Sequence, residues 1–407
     1  MAGIYLRSLP VIADDFGWES VALVCVHPTI LPISGGLLGS TGRLYVLYLN
    51  QRLVPATGVD TMHIGQTDNF TIPPLALLCA RCLIASAAVL LSACSGGGND
   101  STPTPTPMPA PIIPWVDAAP LQLERQEVAV AALGQNIYVI GGFMGASILA
   151  SMEVYDSAND SWSYAAPLPT PIHHAAAAVV DDQLYVIGGW NNLFGEPLAD
   201  LWLYNPATDQ WQAKTPMPQP RGSPAAAVID NKIYVAGGWP LSRSQDFAVY
   251  DPQTDSWQTL ADLPSPRNHL GAAAVNGQFY AVGGRESLGA GQGNRDAIEM
   301  YDPGIGQWSV LADMPQPRGG LAVVAYKHYV LAFGGEGNAS RPEGTFVNVD
   351  AYNTESDSWQ ALADMPLGVH GIGAALLNGR VHIPGGGPLE GGSTTDRHQV
   401  YDPASEL

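Results

Sequence analysis

The chain is most constrained by a double glycine that recurs six times in one register. The pairs lie 46 to 51 residues apart and begin at Gly141, Gly188, Gly237, Gly283, Gly334 and Gly385. An arginine stands sixteen residues before four of the pairs, and a tryptophan stands ten residues before that position in all six copies. Five of the tryptophans follow a tyrosine by seven residues. Because glycine pairs also occur singly in loops, it is the shared register that indicates an array of structural repeats.

The two ends of the array are complementary. Trp115 has no tyrosine seven residues before it, and Tyr401 has no tryptophan after it. Each end therefore carries the half of the motif that the other end lacks. This predicts a closed ring, in which a strand around Trp115 completes the last repeat beside Tyr401.

The motif resembles the kelch repeat, in which a double glycine precedes a spaced tyrosine and tryptophan at a period of about 50 residues. The resemblance covers residues 112–407 and implies an all-β fold, a six-bladed β-propeller with a four-stranded antiparallel sheet in each blade. A more distant similarity links the chain to N-acetylneuraminate epimerases, which are six-bladed propellers that mutarotate sialic acid.

The residues between the markers independently favour short strands. In the copy from 251 to 284, Pro, Gly, Asn or Asp bounds the region of Trp257 and the segments LGAAAV and QFYAVGG. The residues between these segments show no helical periodicity. The alanine-rich strand should lie innermost, where the blades converge. Tyrosine and tryptophan suit the wider outer gaps between blades, where large rings can be buried.

The N-terminal part has a different organisation. Residues 1–61 show no repeat and receive no fold assignment. Residues 62–93 begin with Met62 and contain Arg81 and an apolar run too short to span a bilayer, which is typical of an export signal. If Met62 is the true start, residues 1–61 are a mis-assigned extension of the reading frame.

The sequence Leu91-Ser92-Ala93-Cys94 resembles a bacterial lipobox. This resemblance implies lipidation of Cys94 and anchoring in the bacterial cell envelope; ordinary signal cleavage nearby and an uncleaved anchor are the alternatives. Residues 94–111 contain the alternating run Thr102-Pro103-Thr104-Pro105-Thr106-Pro107, which favours an extended spacer that tethers the propeller. The alternative interpretation is that this segment is a proline-rich ligand for a recognition domain.

Charge and cysteine content exclude several classes of protein. The formal net charge is −20, so nucleic acid is a poor partner, because phosphate binding requires a basic surface. The cysteines all lie at or before Cys94, so no disulfide is expected in the propeller. Copper radical oxidases with kelch propellers require a cysteine cross-linked to tyrosine, and that chemistry is excluded here. We expect no cofactor and a monomer.

The loops define the face on which binding is expected. The segment that enters the innermost strand and the variable loop after each double glycine open on the same face of a propeller, whereas the opposite loops are short. We therefore predict a ligand-binding face that carries Arg125, His173, His174, Trp190, Arg221, Trp239, Arg267, His269, Arg285, Glu286, Arg318, Glu336 and His370.

Different roles are open for these residues. The four register arginines could bind an anion such as a carboxylate, or each could instead bond loop carbonyls or an Asp of the next blade and so lock the ring. Trp190 and Trp239 could stack on sugar rings or fill gaps between blades. A metal site formed by the histidines is disfavoured, because they come from separate blades and no carboxylate pattern accompanies them.

Three classes of function remain. We expect a non-catalytic module that binds a protein or glycan partner, because a fold alone implies no chemistry. The alternative is a sugar epimerase or mutarotase, in which Glu286, Glu336 or a histidine would transfer a proton. A structural role in the cell envelope is the third class.

Overall fold

The computed structural model describes residues 18–28, 42–52, 114–193 and 195–407. Contacts divide the chain into one unit of residues 1–104 and another of residues 105–407. In the first unit, β1 (Trp18–Pro28) pairs with β2 (Gly42–Arg52) in an antiparallel hairpin. The predicted signal (62–93), Cys94 and the tether up to residue 111 lie outside the described residues. Among the residues described, no helix has the length and apolar character needed to cross a membrane.

The second unit is an all-β ring of six antiparallel sheets. Its strands are β3 (Trp115–Ala118), β4 (Ala129–Leu133), β5 (Asn136–Ile140), β6 (Phe143–Met144), β7 (Ser147–Ile148), β8 (Met152–Asp156), β9 (Ser161–Ala165), β10 (Ala176–Val180), β11 (Gln183–Ile187), β12 (Leu201–Asn205), β13 (Gln210–Ala213), β14 (Ala225–Ile229), β15 (Lys232–Ala236), β16 (Phe247–Asp251), β17 (Ser256–Thr259), β18 (Gly271–Val275), β19 (Gln278–Val282), β20 (Ile298–Asp302), β21 (Gln307–Val310), β22 (Ala322–Tyr326), β23 (Tyr329–Phe333), β24 (Val349–Asn353), β25 (Ser358–Ala361), β26 (Ala375–Leu377), β27 (Arg380–Pro384) and β28 (His398–Tyr401). Two short 3-10 turns occupy Leu241–Arg243 and Pro403–Ser405.

Each blade is a meander of four strands. Blade 1 is β4-β5-β8-β9, with the small hairpin β6-β7 between its second and third strands, and blades 2 to 5 take the next sixteen strands in order. Blade 6 has the order β26-β27-β28-β3, so its outermost strand comes from the other end of the propeller. The predicted six-bladed β-propeller is confirmed.

The predicted closure at Trp115 is also confirmed. Trp115 lies opposite Tyr401 in the β3-β28 ladder, and the two rings are 4.8 Å apart. The indole Nε1 of Trp115 donates to the carbonyl of Ala363 in blade 5 at 3.0 Å. Strand pairing and a contact to the preceding blade therefore join the ends of the ring.

The core lies between neighbouring blades. The alanine-rich strands are innermost and contact one another from blade to blade, as β4 with β10 and β10 with β14. Further out, the tryptophan of each blade donates its indole N–H to a carbonyl of the preceding blade, as Trp211 does to Ala166 at 2.8 Å. Each glycine pair directly follows the second strand of its blade, as Gly141 and Gly142 follow β5. Gly142 has φ +93°, and a Cβ there would lie 2.5 Å from the carbonyl oxygen of Gln126.

Candidate functional site

Three consecutive residues before each innermost strand form three rings around the channel. The anchor positions are Arg125, Ile172, Arg221, Arg267, Arg318 and Val369. The bridge positions, one residue later, are Gln126, His173, Gly222, Asn268, Gly319 and His370. The channel positions, one residue further, are Glu127, His174, Ser223, His269, Gly320 and Gly371.

The anchor arginines do not face a ligand. Arg125, Arg221, Arg267 and Arg318 are at most 1% exposed. Arg125 donates to Glu153 at 2.6 Å and to the carbonyl of Gly141 at 3.1 Å. Their predicted place on the ligand-binding face is therefore wrong. They instead hold their own blades together. The bonds to loop carbonyls agree with the alternative role, but the acids that they bind belong to the same blade and not to the next one.

The acids that pair with the anchors share a register of their own. Arg267 donates to Glu299 at 2.8 Å, and Arg318 lies 2.8 Å from Asp350. Glu299, Asp350 and Glu153 each stand two residues before the tyrosine of their blade. This second register was present in the sequence and would have distinguished blade locking from anion binding.

The anchor of blade 3 lacks such an acid. Arg221 has Ala248 at the corresponding place, and it donates instead to the carbonyls of Asp246 at 2.8 Å and Val235 at 3.2 Å. Burial lowers the pKa of Arg221 to about 10, although the nearby Asp246 charge opposes the shift. Blades 2 and 6 have neither an arginine nor an acid at these two positions.

The bridge positions connect the strand entrances to the long loops. Each forms an isolated backbone bridge to the residue directly after a glycine pair, such as His173 to Trp190 and Gly319 to Glu336. Trp190 is only 3% exposed and stacks on His173 with ring centroids 5.7 Å apart. It packs in the wall, so the hypothesis that it offers a free face for stacking on sugars is wrong.

The channel positions form a closed hydrogen-bonded ring. The N–H of each donates to the carbonyl of the channel position in the preceding blade, as His174 does to Glu127 at 3.0 Å and Glu127 does to Gly371 at 2.6 Å. All six have positive φ, between 50° and 64°. Glu127, His174, Ser223 and His269 thus occupy a left-handed conformation that L-residues adopt uncommonly.

A pocket of about 350 Å³ opens above this ring on the face with the long loops. Apolar residues such as Phe143, Leu193 and Leu288 line its upper part. Its polar residues are Gln126, Glu127, His173, His174, His269, Arg285, Glu336 and His370. A smaller cavity of about 80 Å³ continues into the channel below, and Glu127, His174 and His269 line both spaces.

The polar floor is dominated by histidine and carboxylate groups. Arg285 forms an ion pair with Glu336, and His370 Nδ1 lies 3.4 Å from Glu336 Oε2. Burial alone would raise the pKa of Glu127, but the charges of His174, His269 and His370 outweigh it, so this pKa lies well below its ordinary value. Burial and the neighbouring His174 lower the pKa of His173 to about 4. Burial also keeps the pKa of His269 well below its ordinary value.

Of the predicted site residues, the structure brings together at this pocket His173, His174, Trp190, His269, Arg285, Glu336 and His370. Trp239 and Glu286 are absent from its lining, and Glu286 instead forms a partly exposed ion pair with Arg295. Gln126, Glu127 and Phe143 also line the pocket and are not among the residues predicted from the sequence. Glu127 stands two residues after Arg125, as His269 does after Arg267. The reasoning that no carboxylate accompanies the histidines was therefore wrong.

Comparison with known families agrees with the blade geometry. The family described as "KLHDC2/KLHL20/DRC7 Kelch-repeats domain" matches residues 112–262, and the Kelch motif matches residues 266–315 and 317–366. Together these matches cover more than half of the chain. The chain is a kelch-repeat β-propeller protein.

Relatives of this kelch propeller match over short segments. Kelch-like protein terF of Aspergillus terreus is 37% identical over 98 residues, which are 24% of this chain and 21% of that protein. Kelch-like protein 15 of Danio rerio is 32% identical over 109 residues, 27% of this chain and 17% of that protein. The match thus spans about a fifth of the length of these relatives.

A solved structure extends the likeness beyond these short segments. The structure titled "Structure of YjhT" superposes with a TM-score of 0.59 at 18% sequence identity. The superposition covers 69% of this chain and 95% of that one. At this identity the likeness concerns the propeller fold.

Proposed function

We propose that the kelch propeller binds a neutral, hydroxyl-rich ring, such as one sugar unit of a glycan, in the pocket at the channel mouth. One observation carries the proposal. Gln126 Oε1, Asn268 Nδ2, Arg285 Nε and His370 Nδ1 are buried at or beside the pocket and have no hydrogen-bond partner among the residues that the structure describes. Buried polar atoms are normally paired, so a cluster of unpaired donors and acceptors requires an explanation.

The mixture of donors and acceptors suits hydroxyl groups, because each hydroxyl both donates and accepts. The apolar upper wall supplies the remaining contact, as in most small-molecule sites. The pocket volume of about 350 Å³ matches the lower end of the ~300–1,000 Å³ range of such sites.

Charge favours a neutral ligand over an acidic one. Among the described pocket residues, Glu127 and Glu336 contribute two carboxylates, and the guanidinium of Arg285 is engaged by Glu336. The anchor arginines are sequestered in the blades. A ligand carboxylate would thus meet like charges, whereas a hydroxylated ring would not.

Glycan-array screening followed by calorimetry with the selected sugar tests this proposal. Gln126→Leu removes one acceptor with little change in shape, and we expect about 2- to 12-fold weaker binding, the equivalent of one hydrogen bond of ~0.5–1.5 kcal/mol. Gln210→Leu is the matched control, because Gln210 is exposed in the outer strand β13. Equal affinity in wild type and Gln126→Leu, or no glycan bound at all, would count against the proposal. If wild type and Gln126→Leu then captured a protein partner equally well, a protein-binding function would be favoured over a glycan-binding one.

A sugar mutarotase is the second candidate. His370 Nδ1 lies 3.4 Å from Glu336 Oε2 and 3.8 Å from Glu127 Oε1, so an imidazole and two carboxylates face one pocket. Ring opening of a sugar needs an acid and a base so placed. NMR of a freshly dissolved single anomer, with wild type and with Glu336→Gln, measures the rate of anomer exchange. Wild-type exchange no faster than in buffer would leave binding as the function.

We also propose that the propeller is exported and anchored in the cell envelope through a lipid on Cys94. The lipobox-like sequence before Cys94 and the Pro/Thr-rich segment after it support this proposal. Mass spectrometry of the N-terminus from membrane fractions tests it. A mature N-terminus other than diacylglyceryl-Cys94 would contradict it.

A further inference from the structure

Three channel positions bring metal-ligating atoms together on the channel axis. Glu127, His174 and His269 each offer one ligand atom, and these atoms all lie within 4.8 Å of one another. They come from blades 1, 2 and 4. Zinc at about 2.1 Å from each donor would place tetrahedral donors about 3.4 Å apart. A small inward shift of side chains would therefore close the set around one ion.

The hydrogen bonds of His173 fix the orientation of His174. The carbonyl of Asn192 can only accept, so His173 donates to it from Nε2 at 2.8 Å, and Nδ1 of the neutral ring is an acceptor. His173 Nδ1 lies 2.5 Å from His174 Nδ1, which must donate. In a neutral His174, Nε2 then carries a lone pair 3.0 Å from Glu127 Oε2. Two acceptors at this distance repel each other unless a proton or a cation lies between them.

His269 is oriented in the same manner. Its Nδ1 lies 2.5 Å from Oδ1 of Asn268 and donates to it, which leaves a lone pair on Nε2. The hydroxyl of Ser223, the channel position between the two histidines, is 3.2 Å from this Nε2. Histidines that bind metal ions characteristically donate their other N–H to an oxygen, which fixes the tautomer.

The backbone conformation at the channel positions is a further indication that these side chains form a site. Two of the six channel positions are glycines, which adopt positive φ without strain. Glu127, His174 and His269 adopt the same conformation with a Cβ, at a cost on the order of 1 kcal/mol each. Residues held in this way gather at sites where their direction matters.

We propose that Glu127, His174 and His269 bind one divalent transition-metal ion, with zinc as the best match. Two imidazoles and one carboxylate form a three-ligand set that zinc accepts, with the fourth coordination position left for water or substrate. That position would face the pocket of about 350 Å³. The proposal is independent of the sugar ligand, because Gln126→Leu leaves all three donors in place.

Metal stoichiometry and affinity test the proposal directly. Protein stripped with a chelator and dialysed against zinc should hold one ion per chain by elemental analysis, and cobalt should give the visible d–d absorption of a tetrahedral site. Glu127→Gln, His174→Asn and His269→Asn should each lose the ion. His328→Asn is the matched control, because His328 lies between β22 and β23 on the opposite face.

Asn268→Ala provides a further readout. It removes the acceptor for His269 Nδ1 but no ligand, so we expect one ion per chain with about 10- to 100-fold lower affinity. Circular dichroism establishes that each variant is folded, and cobalt spectra of wild type require no variant at all. No ion in wild type, or full binding in all three ligand variants, would overturn the proposal. An ion pair between protonated His174 and Glu127 would then explain the geometry.

Discussion

Replacing Arg267 by methionine distinguishes a lock within the blade from a ligand-binding collar. Arg267 Nη1 lies 2.8 Å from Glu299 Oε2, and the two side chains are 0% and 1% exposed. A second guanidinium nitrogen donates to the carbonyl of Ala281 at 3.1 Å. Arg267→Met removes the cation and leaves the Glu299 carboxylate buried without its counter-ion.

The expected loss follows from this burial. Breaking one side of a buried ion pair costs about 3–5 kcal/mol, because the remaining charge is uncompensated. A domain of about 290 residues has an unfolding entropy near 0.6 kcal/mol/K at about 2.1 cal/mol/K per residue, so Tm should fall by about 5–8 °C. Binding of sugar and metal should be unchanged in the folded variant, since no anchor side chain reaches the pocket.

Thermal and urea unfolding followed by tryptophan fluorescence measure the effect. The double variant Arg267→Met with Glu299→Met should recover most of the loss, because an apolar pair of similar volume replaces a buried ion pair at little cost. Arg295→Met is the control, since its ion pair with Glu286 is 43% and 41% exposed and is expected to contribute less than about 1 kcal/mol. Unchanged stability together with lost ligand binding in Arg267→Met would refute the lock.

Two more predictions concern a hydrogen bond within blade 3 and the closure of the ring. Tyr250 donates to Asp255 at 2.6 Å, and this bond is the main cause that lowers the pKa of Asp255 to about 2. The stabilisation is complete above the ordinary aspartate pKa near 4 and is lost as pH falls from about 4 to about 2; Asp255→Asn should therefore flatten the dependence of the urea midpoint on pH in that range, and an unchanged slope would contradict the assignment. Trp115→Ala should cost about 3–5 kcal/mol, as for other buried tryptophans, measured by chemical denaturation; a loss below about 1 kcal/mol would mean that the strand at Trp115 does not hold the ring closed.

The architecture could be predicted from the sequence because the glycines, tyrosines and tryptophans of the repeat have the same structural role in every blade. The glycine pairs require positive φ and leave no space for a Cβ, and the tryptophans bond to the preceding blade. Trp115 and Tyr401 are complementary for the same reason, and the ladder between them follows directly. Such positions behave alike in every blade, so their spacing alone determines where the strands lie.

The site was harder to predict because adjacent residues at the strand entrance have different environments. Arg267 is buried in its blade, whereas His269, two residues later, lines the channel. A pattern that places both near the mouth does not reveal which side chain turns inward. The residue two positions before the tyrosine of each blade carries that information. It is Glu299 in the blade of Arg267, and it is Trp202 in the blade that has Ile172.

The anchor positions stabilise the blades, whereas the channel positions supply the chemical groups of the site. Anchor side chains are enclosed, so any change there must be matched within the blade, as Glu153 matches Arg125. Channel side chains project from a backbone ring whose hydrogen bonds use only N–H and C=O groups, so their identity is free to differ between blades. In this chain the six channel positions are Glu, His, Ser, His, Gly and Gly. The small residues of blades 3, 5 and 6 leave the axis to the carboxylate and the two imidazoles. A propeller can therefore acquire a new site through one residue per blade, at a cost limited to the strain of a left-handed conformation.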